Sequence, residues 1–426
     1  MLTSVIILPL LGAIILLFLP QERLAVIRWI ALGFALAELV LSLVLALVYL
    51  PSSIGNYSTS PSESVTWIAS LGINYSLTLD GISLLLVILT TLLTTISIAA
   101  SFSIDKKVKN YMAFMLLLES GILGVFLASN LFLFYIFWEL MLIPAYFLVG
   151  SWGGERRIYA ALKFVIYTSV GSFLMLMGII ALGYFHQQAG AGCSYTLDLS
   201  TLLSSSKSCA IDSGIQTWLL LAFAAAFVVK LPLVPFHSWL PDTYSEAPAP
   251  VTAMLAGAMS KTAAYGMLRF AIQLFPQAAQ NLAPLFSTLA VIGILYCAVL
   301  ALVQTDLKRL LGYSSISHLG VITLGLFAFN TQGVEGSVLQ MVNHGITIAA
   351  LFLLVDFLEV RTGTRRIGDF GGLAKSLPWL ATVMLIAALS SLGLPGLNSF
   401  AGEFITLLGV FHNNILLGVL GTAVVV

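Results

Sequence analysis

Charge is what this chain has least of. Only 8% of its 426 residues are Asp, Glu, Lys or Arg, against about 25% in an average soluble domain. Eighteen acidic and eighteen basic residues cancel, so no net field draws nucleic acid to it. Cysteine is scarcer still, with three residues, and there are five histidines. The sequence has no Cys-x-x-Cys pair, no paired-histidine haem pattern and no glycine-rich phosphate loop opening a helix after a strand. It therefore offers no readable site for an iron–sulfur cluster, haem or nucleotide.

Apolar residues are what it has in excess, at 59%, with a mean hydropathy of +1.04. Runs near 20 residues recur from end to end, each long enough to cross a hydrocarbon core of about 30 Å. The pattern predicts an all-α polytopic membrane protein. Twelve spans are expected, at residues 2–20, 27–50, 80–103, 111–128, 130–150, 158–184, 215–236, 248–273, 283–304, 307–329, 335–358 and 378–411. The run 413–426 is too short to span, so the chain reads as stopping inside a thirteenth. Residues 2–20 lack a basic leader and a small-residue cleavage site, and are read as a first span and not as a removed signal peptide.

Thirteen of the eighteen basic residues fall in loops that follow odd-numbered spans, among them Arg28, Lys107, Arg157, Lys308 and Arg365. Only Lys207 and Arg269 fall on the other side. Positive-inside bias then puts the odd-numbered loops in the cytoplasm and the N-terminus outside. The two longest loops, 51–79 and 185–214, become external. The second holds Cys193 and Cys209, placed to form a disulfide or to remain two free thiols. Cys297 lies in an apolar span and reads as a small hydrophobe.

Two spans carry helix breaks. The seventh is interrupted at Lys230-Leu231-Pro232-Leu233-Val234-Pro235, ahead of a polar turn with His237, Asp242 and Glu246. The twelfth is interrupted at Gly393-Leu394-Pro395-Gly396-Leu397-Asn398. Broken backbone at membrane depth is tolerated only inside protein or against a water-filled cavity. The breaks lie five spans apart, an odd number, as two inverted five-helix repeats would place them. The organisation expected is three N-terminal spans over 1–110, a first inverted repeat over 111–273 and a second over 283–426.

Six ionisable residues sit inside spans at a common depth, roughly 13–21 Å from a span end. They are Glu139 in the fifth, Lys230 in the seventh, Lys261 in the eighth, His318 in the tenth, His344 in the eleventh and Glu403 in the twelfth. Any one alone reads equally as a protonated packing glutamate or a neutral bridging histidine. Six at one depth read as a row parallel to the membrane, and intramembrane ionisable residues mark ion pathways. Lys163, near a span end, is expected to snorkel. Glu119 is a further candidate for the row, and Glu38 is read as structural.

The strings FYIFWELMLIPAYFLVGSWGG, VVKLPLVPFHSWLPDTYSEAPAPVTAMLAGAMSKTAAYGMLR, DLKRLLGYSSISHLG and GLPGLNSFAGEF resemble the antiporter-like proton-pumping subunits of complex I. The chain 4 (chain M) branch is the most similar, since position 403 is Glu where sister subunits more often carry Lys. The resemblance implies a subunit of an NAD(P)H- or ferredoxin-driven quinone oxidoreductase. Glu139 would pair with Lys230, Lys261 would connect onward, His318 and His344 would extend the axis, and Glu403 would be the terminal proton group. It implies 14 spans and no cofactor or metal in this chain, with quinone, Fe–S clusters and FMN or NAD(P)H held by partner subunits. Implied partners are chain 2-like and chain 5-like antiporter subunits, a quinone-reducing peripheral arm and lipids. The implied location is a bacterial plasma membrane or a cyanobacterial or chloroplast thylakoid. A sodium/proton antiporter subunit of the Mrp type and an ion-pumping membrane hydrogenase subunit remain open alternatives.

Overall fold

The computed structural model describes residues 1–53, 61–68 and 73–425. Residues 54–60 and 69–72 of the expected external loop, and Val426 of the last apolar run, lie outside the described residues. In chain order, α1 (Leu2–Phe18) and α2 (Leu24–Ser53) precede a hairpin of β1 (Ser62–Ile68) and β2 (Ile73–Thr78). There follow α3 (Gly81–Ala100), α4 (Val108–Leu127), α5 (Leu131–Leu140), α6 (Leu142–Trp152), α7 (Arg157–Gln188), α8 (Leu199–Ser204) and α9 (Ser213–Lys230). Next come α10 (Trp239–Glu246), α11 (Ala249–Met254), a π-helical stretch (Leu255–Met259), α12 (Ser260–Gly266) and a second π-helical stretch (Met267–Ile272). The chain continues through α13 (Pro276–Leu302), α14 (Leu307–Leu326), α15 (Thr331–Thr362), α16 (Leu373–Ser376), α17 (Pro378–Ser391), α18 (Asn398–Asn413) and α19 (Ile415–Gly421).

Among the described residues, eight helices are long and apolar enough to cross a membrane. Each of the twelve expected spans coincides with one helix or with a broken pair, except the eighth, which alternates α11, a π-helical stretch, α12 and a second π-helical stretch. The seventh stops short of its expected end. Helix α9 finishes at Lys230 and residues 231–238 are turns, because Pro232 and Pro235 each remove a backbone donor and fix φ. Helix starts follow side-chain caps. Asp80 and Ser83 form a capping box at α3, and Asn130, Asp306 and Asn330 accept first-turn amides at α5, α14 and α15, which satisfies otherwise orphaned donors.

The chain forms two compact units. The first contains residues 1–148, 168–227 and 265–279. Here Phe134, Trp138, Phe227 and Phe270 make an aromatic cluster, with ring centroids 4.3 Å apart for Phe134–Phe270 and 5.5 Å for Trp138–Phe227. The expected external segments meet each other. Asp198 accepts from Asn130 at 2.9 Å and from Asn74 at 2.5 Å, and Glu63 accepts the backbone amides of Leu2 and Thr3. Cys193 and Cys209 are joined as a disulfide, Cα atoms 5.9 Å apart, which resolves the two readings of that loop. His186 braces the same loop at 2.8 Å from both the Ser194 carbonyl and the Ser205 hydroxyl.

The second unit contains residues 149–167, 228–264 and 280–426. Helix α15 lies at its centre, against α11, α14, α17 and α18. It meets α18 nearly backbone to backbone. A Cβ on Gly336 would collide with the Thr406 amide, and one on Gly402 with the Gln340 backbone. Small residues at such contacts let membrane helices approach closely. The loops expected on the cytoplasmic side converge here. Arg365 pairs with Asp306 at 2.5 Å and donates to the Ser245 carbonyl at 2.7 Å, and Lys308 pairs with Glu359 at 2.7 Å.

Candidate functional site

The second unit holds a buried polar chain. The π-helical stretch before α12 shifts the backbone ladder, and Lys261 Nζ donates to the Ala256 carbonyl at 2.6 Å and to the Ser260 hydroxyl at 3.2 Å. Its third contact is His344 Nδ1, at 2.7 Å. The other ring nitrogen of His344 lies 3.3 Å from the Ser315 hydroxyl. The His344 and His318 ring centroids are 5.6 Å apart. His318 Nδ1 lies 2.9 Å from Glu403 Oε1, which also accepts from Gln340 Nε2 at 2.8 Å. Ser391, at the end of α17, reaches His318 Nε2 at 3.3 Å. Lys261, His344, His318 and Glu403 are each at most 5% exposed. A polar chain this deep persists because each member finds a partner.

The two helix breaks share one local geometry. Leu233 donates to the Val228 carbonyl at 3.0 Å, and Leu394 to the Leu389 carbonyl at 3.1 Å. Each bond wraps a helix end five residues back, satisfying a carbonyl that the break would orphan. After α9, the Trp239 indole donates to the Val229 carbonyl at 2.9 Å. After α17, Gly393 takes φ of +68°, and a Cβ there would sit 2.7 Å from Glu403 Oε2. A side chain at 393 would be strained and would also displace the carboxylate.

The structure thus brings four of the six expected residues into one connected group. Lys230, 1% exposed, ends α9 in the same unit. Glu139 belongs to the first unit, in the last turn of α5, half-buried, with no hydrogen-bond partner for Oε1. Gln340, Ser315, Ser391 and the Ala256 carbonyl are members that the sequence reading missed. Gln340 precedes His344 by four positions and Ser315 precedes His318 by three, so helical spacing placed both on the right face. Glu38 and Glu119, both fully buried in the first unit, interact electrostatically with each other.

Lys163, expected to snorkel, has defined partners. It pairs with Asp242 at 2.8 Å and donates to the Ser238 carbonyl at 2.9 Å, because the turn after the seventh-span break presents those acceptors. The rest of that turn is structural: Glu246 accepts from the Gly154 and Arg156 amides at 2.8 and 2.9 Å. Among the described residues no group of His, Cys, Asp and Glu is arranged to hold a metal ion.

Residues 128–426 match the family described as NADH:quinone oxidoreductase/Mrp antiporter, TM. NADH-quinone oxidoreductase subunit M of Rhodobacter capsulatus is 40% identical over 94% of this chain and 77% of its own length. NAD(P)H-quinone oxidoreductase chain 4 1 of Picosynechococcus sp. is 38% identical over 97% and 75%. Among solved structures, a chain of respiratory complex I from Thermus thermophilus with bound NADH superposes with a TM-score of 0.88 at 32% identity. That match covers all of this chain and 85% of the other.

Proposed function

We propose, from the premise that this chain belongs to the NADH:quinone oxidoreductase/Mrp antiporter membrane family, that it is the proton-translocating subunit M (chain 4) of a complex I. Electrons from NAD(P)H or ferredoxin would pass to quinone in partner subunits, and this chain would move protons in response. The observation that carries the reading is the buried Lys261–His344–His318–Glu403 chain. Lys261 Nζ is 2.7 Å from His344 Nδ1, so a proton on the ammonium has an acceptor nitrogen within hydrogen-bond reach. Transfer leaves a neutral amine and an imidazolium. The 5.6 Å between ring centroids is crossed by a ring turn or by one bridging water. From His318 the proton reaches the Glu403 carboxylate over 2.9 Å.

The Glu139–Lys230 pair is the proposed switch at the head of this path. Burial favours a neutral amine and a neighbouring carboxylate favours the ammonium. A separation of about 4 Å at an effective dielectric near 20 would give an attraction of about 4 kcal/mol, which would be enough to decide the protonation of Lys230. Weakening that attraction would send the proton toward Lys261. The matching wrapped ends at Lys230 and Gly393 support inverted repeats over 111–273 and 283–426, with one break in each. The adjoining partners would be other antiporter-like subunits and a quinone-reducing arm.

The test is a reconstituted complex carrying Glu139→Asp, Glu139→Gln or Lys261→Ala, scored for assembly, quinone reduction and protons moved per electron. Glu139→Asp is expected to retain partial pumping, and the other two to lose it at least tenfold with the complex assembled. Wild-type pumping in Glu139→Gln removes the switch, and wild-type pumping in Lys261→Ala removes the path. Purification with partners that lack any quinone-reducing arm would move the assignment to an Mrp-type antiporter.

A further inference from the structure

The second unit also carries an apolar groove that the proton path does not use. Leu358 near the end of α15, Leu373 and Leu377 around α16, and Leu380, Met384 and Ala388 along α17 line it, enclosing about 260 Å³. From Leu377 to Ala388 the α17 wall rises about 16 Å, close to half of a bilayer core of about 30 Å. Trp379, 84% exposed, stands in the first turn of α17, where an indole marks the headgroup level of a membrane.

Two cations lie beside its lining residues along the chain. Arg361 follows Leu358 by one helical turn, and Lys375 lies between Leu373 and Leu377. Both are exposed, and neither pairs with a carboxylate among the described residues. Lys308 and Arg365, from the same unit, are by contrast engaged by Glu359 and Asp306. A groove in a membrane-spanning segment accepts any acyl chain, so the apolar wall alone does not choose a ligand. The charge at its mouth does. We propose that this groove binds an anionic phospholipid, one acyl chain lying along α17 and the phosphate held between Arg361 and Lys375. Both cations fall in loops that the positive-inside count places in the cytoplasm, and anionic lipid enriches that leaflet.

The detergent-purified chain, incubated with equal phosphatidylglycerol and phosphatidylcholine and examined by native mass spectrometry, tests this. Phosphatidylglycerol is expected to be retained at least tenfold over phosphatidylcholine, on the scale two unpaired cations give. Arg361→Gln with Lys375→Gln is expected to erase that preference. Ala381→Trp, which fills the groove and leaves both cations in place, is expected to lower phosphatidylglycerol retention several-fold, with circular dichroism confirming unchanged helix content. Equal retention of the two lipids in the wild type, or a preference that survives the double substitution, overturns the proposal. So does displacement of the lipid by millimolar inorganic phosphate, which marks an anion site without a chain. A fourth adverse result is cross-linking of Leu380→Cys to a neighbouring protein subunit in the assembled complex, which identifies a protein as the occupant.

Discussion

Glu403 is held by His318 on one side and Gln340 on the other, so its carboxylate is positioned before any proton arrives. Glu403→Gln keeps the shape and one acceptor oxygen but cannot take a proton. The expected outcome is a fall of at least tenfold in protons moved per electron with the subunit still assembled, checked on reconstituted vesicles; an unchanged ratio takes Glu403 off the path. A different carboxylate reports on pH. Burial works to raise the pKa of Glu63, but the N-terminal amine, the Thr3 hydroxyl and the Thr3 and Leu2 amides hold it down to about 2. A depressed carboxylate contributes stability above its ordinary value of 4.5 and loses it as pH falls toward about 2. Hydrogen-exchange protection of the Leu2 and Thr3 amides, corrected for intrinsic rates, is therefore expected to hold from pH 7 to 5 and to vanish near pH 2. Ionisable residues such as Lys261 and His344 were legible because an apolar background makes each conspicuous. Gln340 and Ser315 were not, since neutral polar side chains are common in spans and only their partners reveal them.

At the scale of elements, the helix positions and both breaks were readable from apolar run length and from Pro and Gly. The π-helical stretch at Leu255–Met259 was not. Its one poor helix former, Gly257, is a weak signal among the many glycines of the spans, and the wider turn goes with the carbonyl that Ala256 presents to Lys261. The hairpin of β1 and β2 was likewise hidden inside a loop defined only by its lack of apolar character. The external loop allows a direct check. Without reduction, peptides containing Cys193 and Cys209 are expected to appear linked in mass spectra. Closing a loop of this length contributes about 3 kcal/mol, so Cys193→Ser is expected to lower the apparent melting temperature with α9 and α14 intact. Two freely alkylated thiols in the native protein would dispose of the bond.

For the whole molecule, charge counting assigns loops to the cytoplasmic side, and among them Asp306, Lys308, Glu359 and Arg365 gather together. Labels near Lys107 and Arg365 are accordingly expected to react only from the cytoplasmic side, and labels near Lys207 only from outside; equal labelling of Lys107 and Lys207 from one face defeats this topology. The division into units escaped the sequence, because apolar periodicity says which residues are buried and not which helices bury them. That division has a temporal consequence. The first unit is complete once Ala279 has been synthesised, whereas segments 149–167 and 228–264 belong with residues from 280 onward. Lys261 is therefore made 83 positions before His344, the partner it meets in the finished unit. A lone lysine at membrane centre costs about 2.5–3.5 kcal/mol. Among the described contacts of the Lys261 side-chain nitrogen, those to the Ala256 carbonyl and the Ser260 hydroxyl are local, so the backbone turn that serves the finished site is available before the histidine is made.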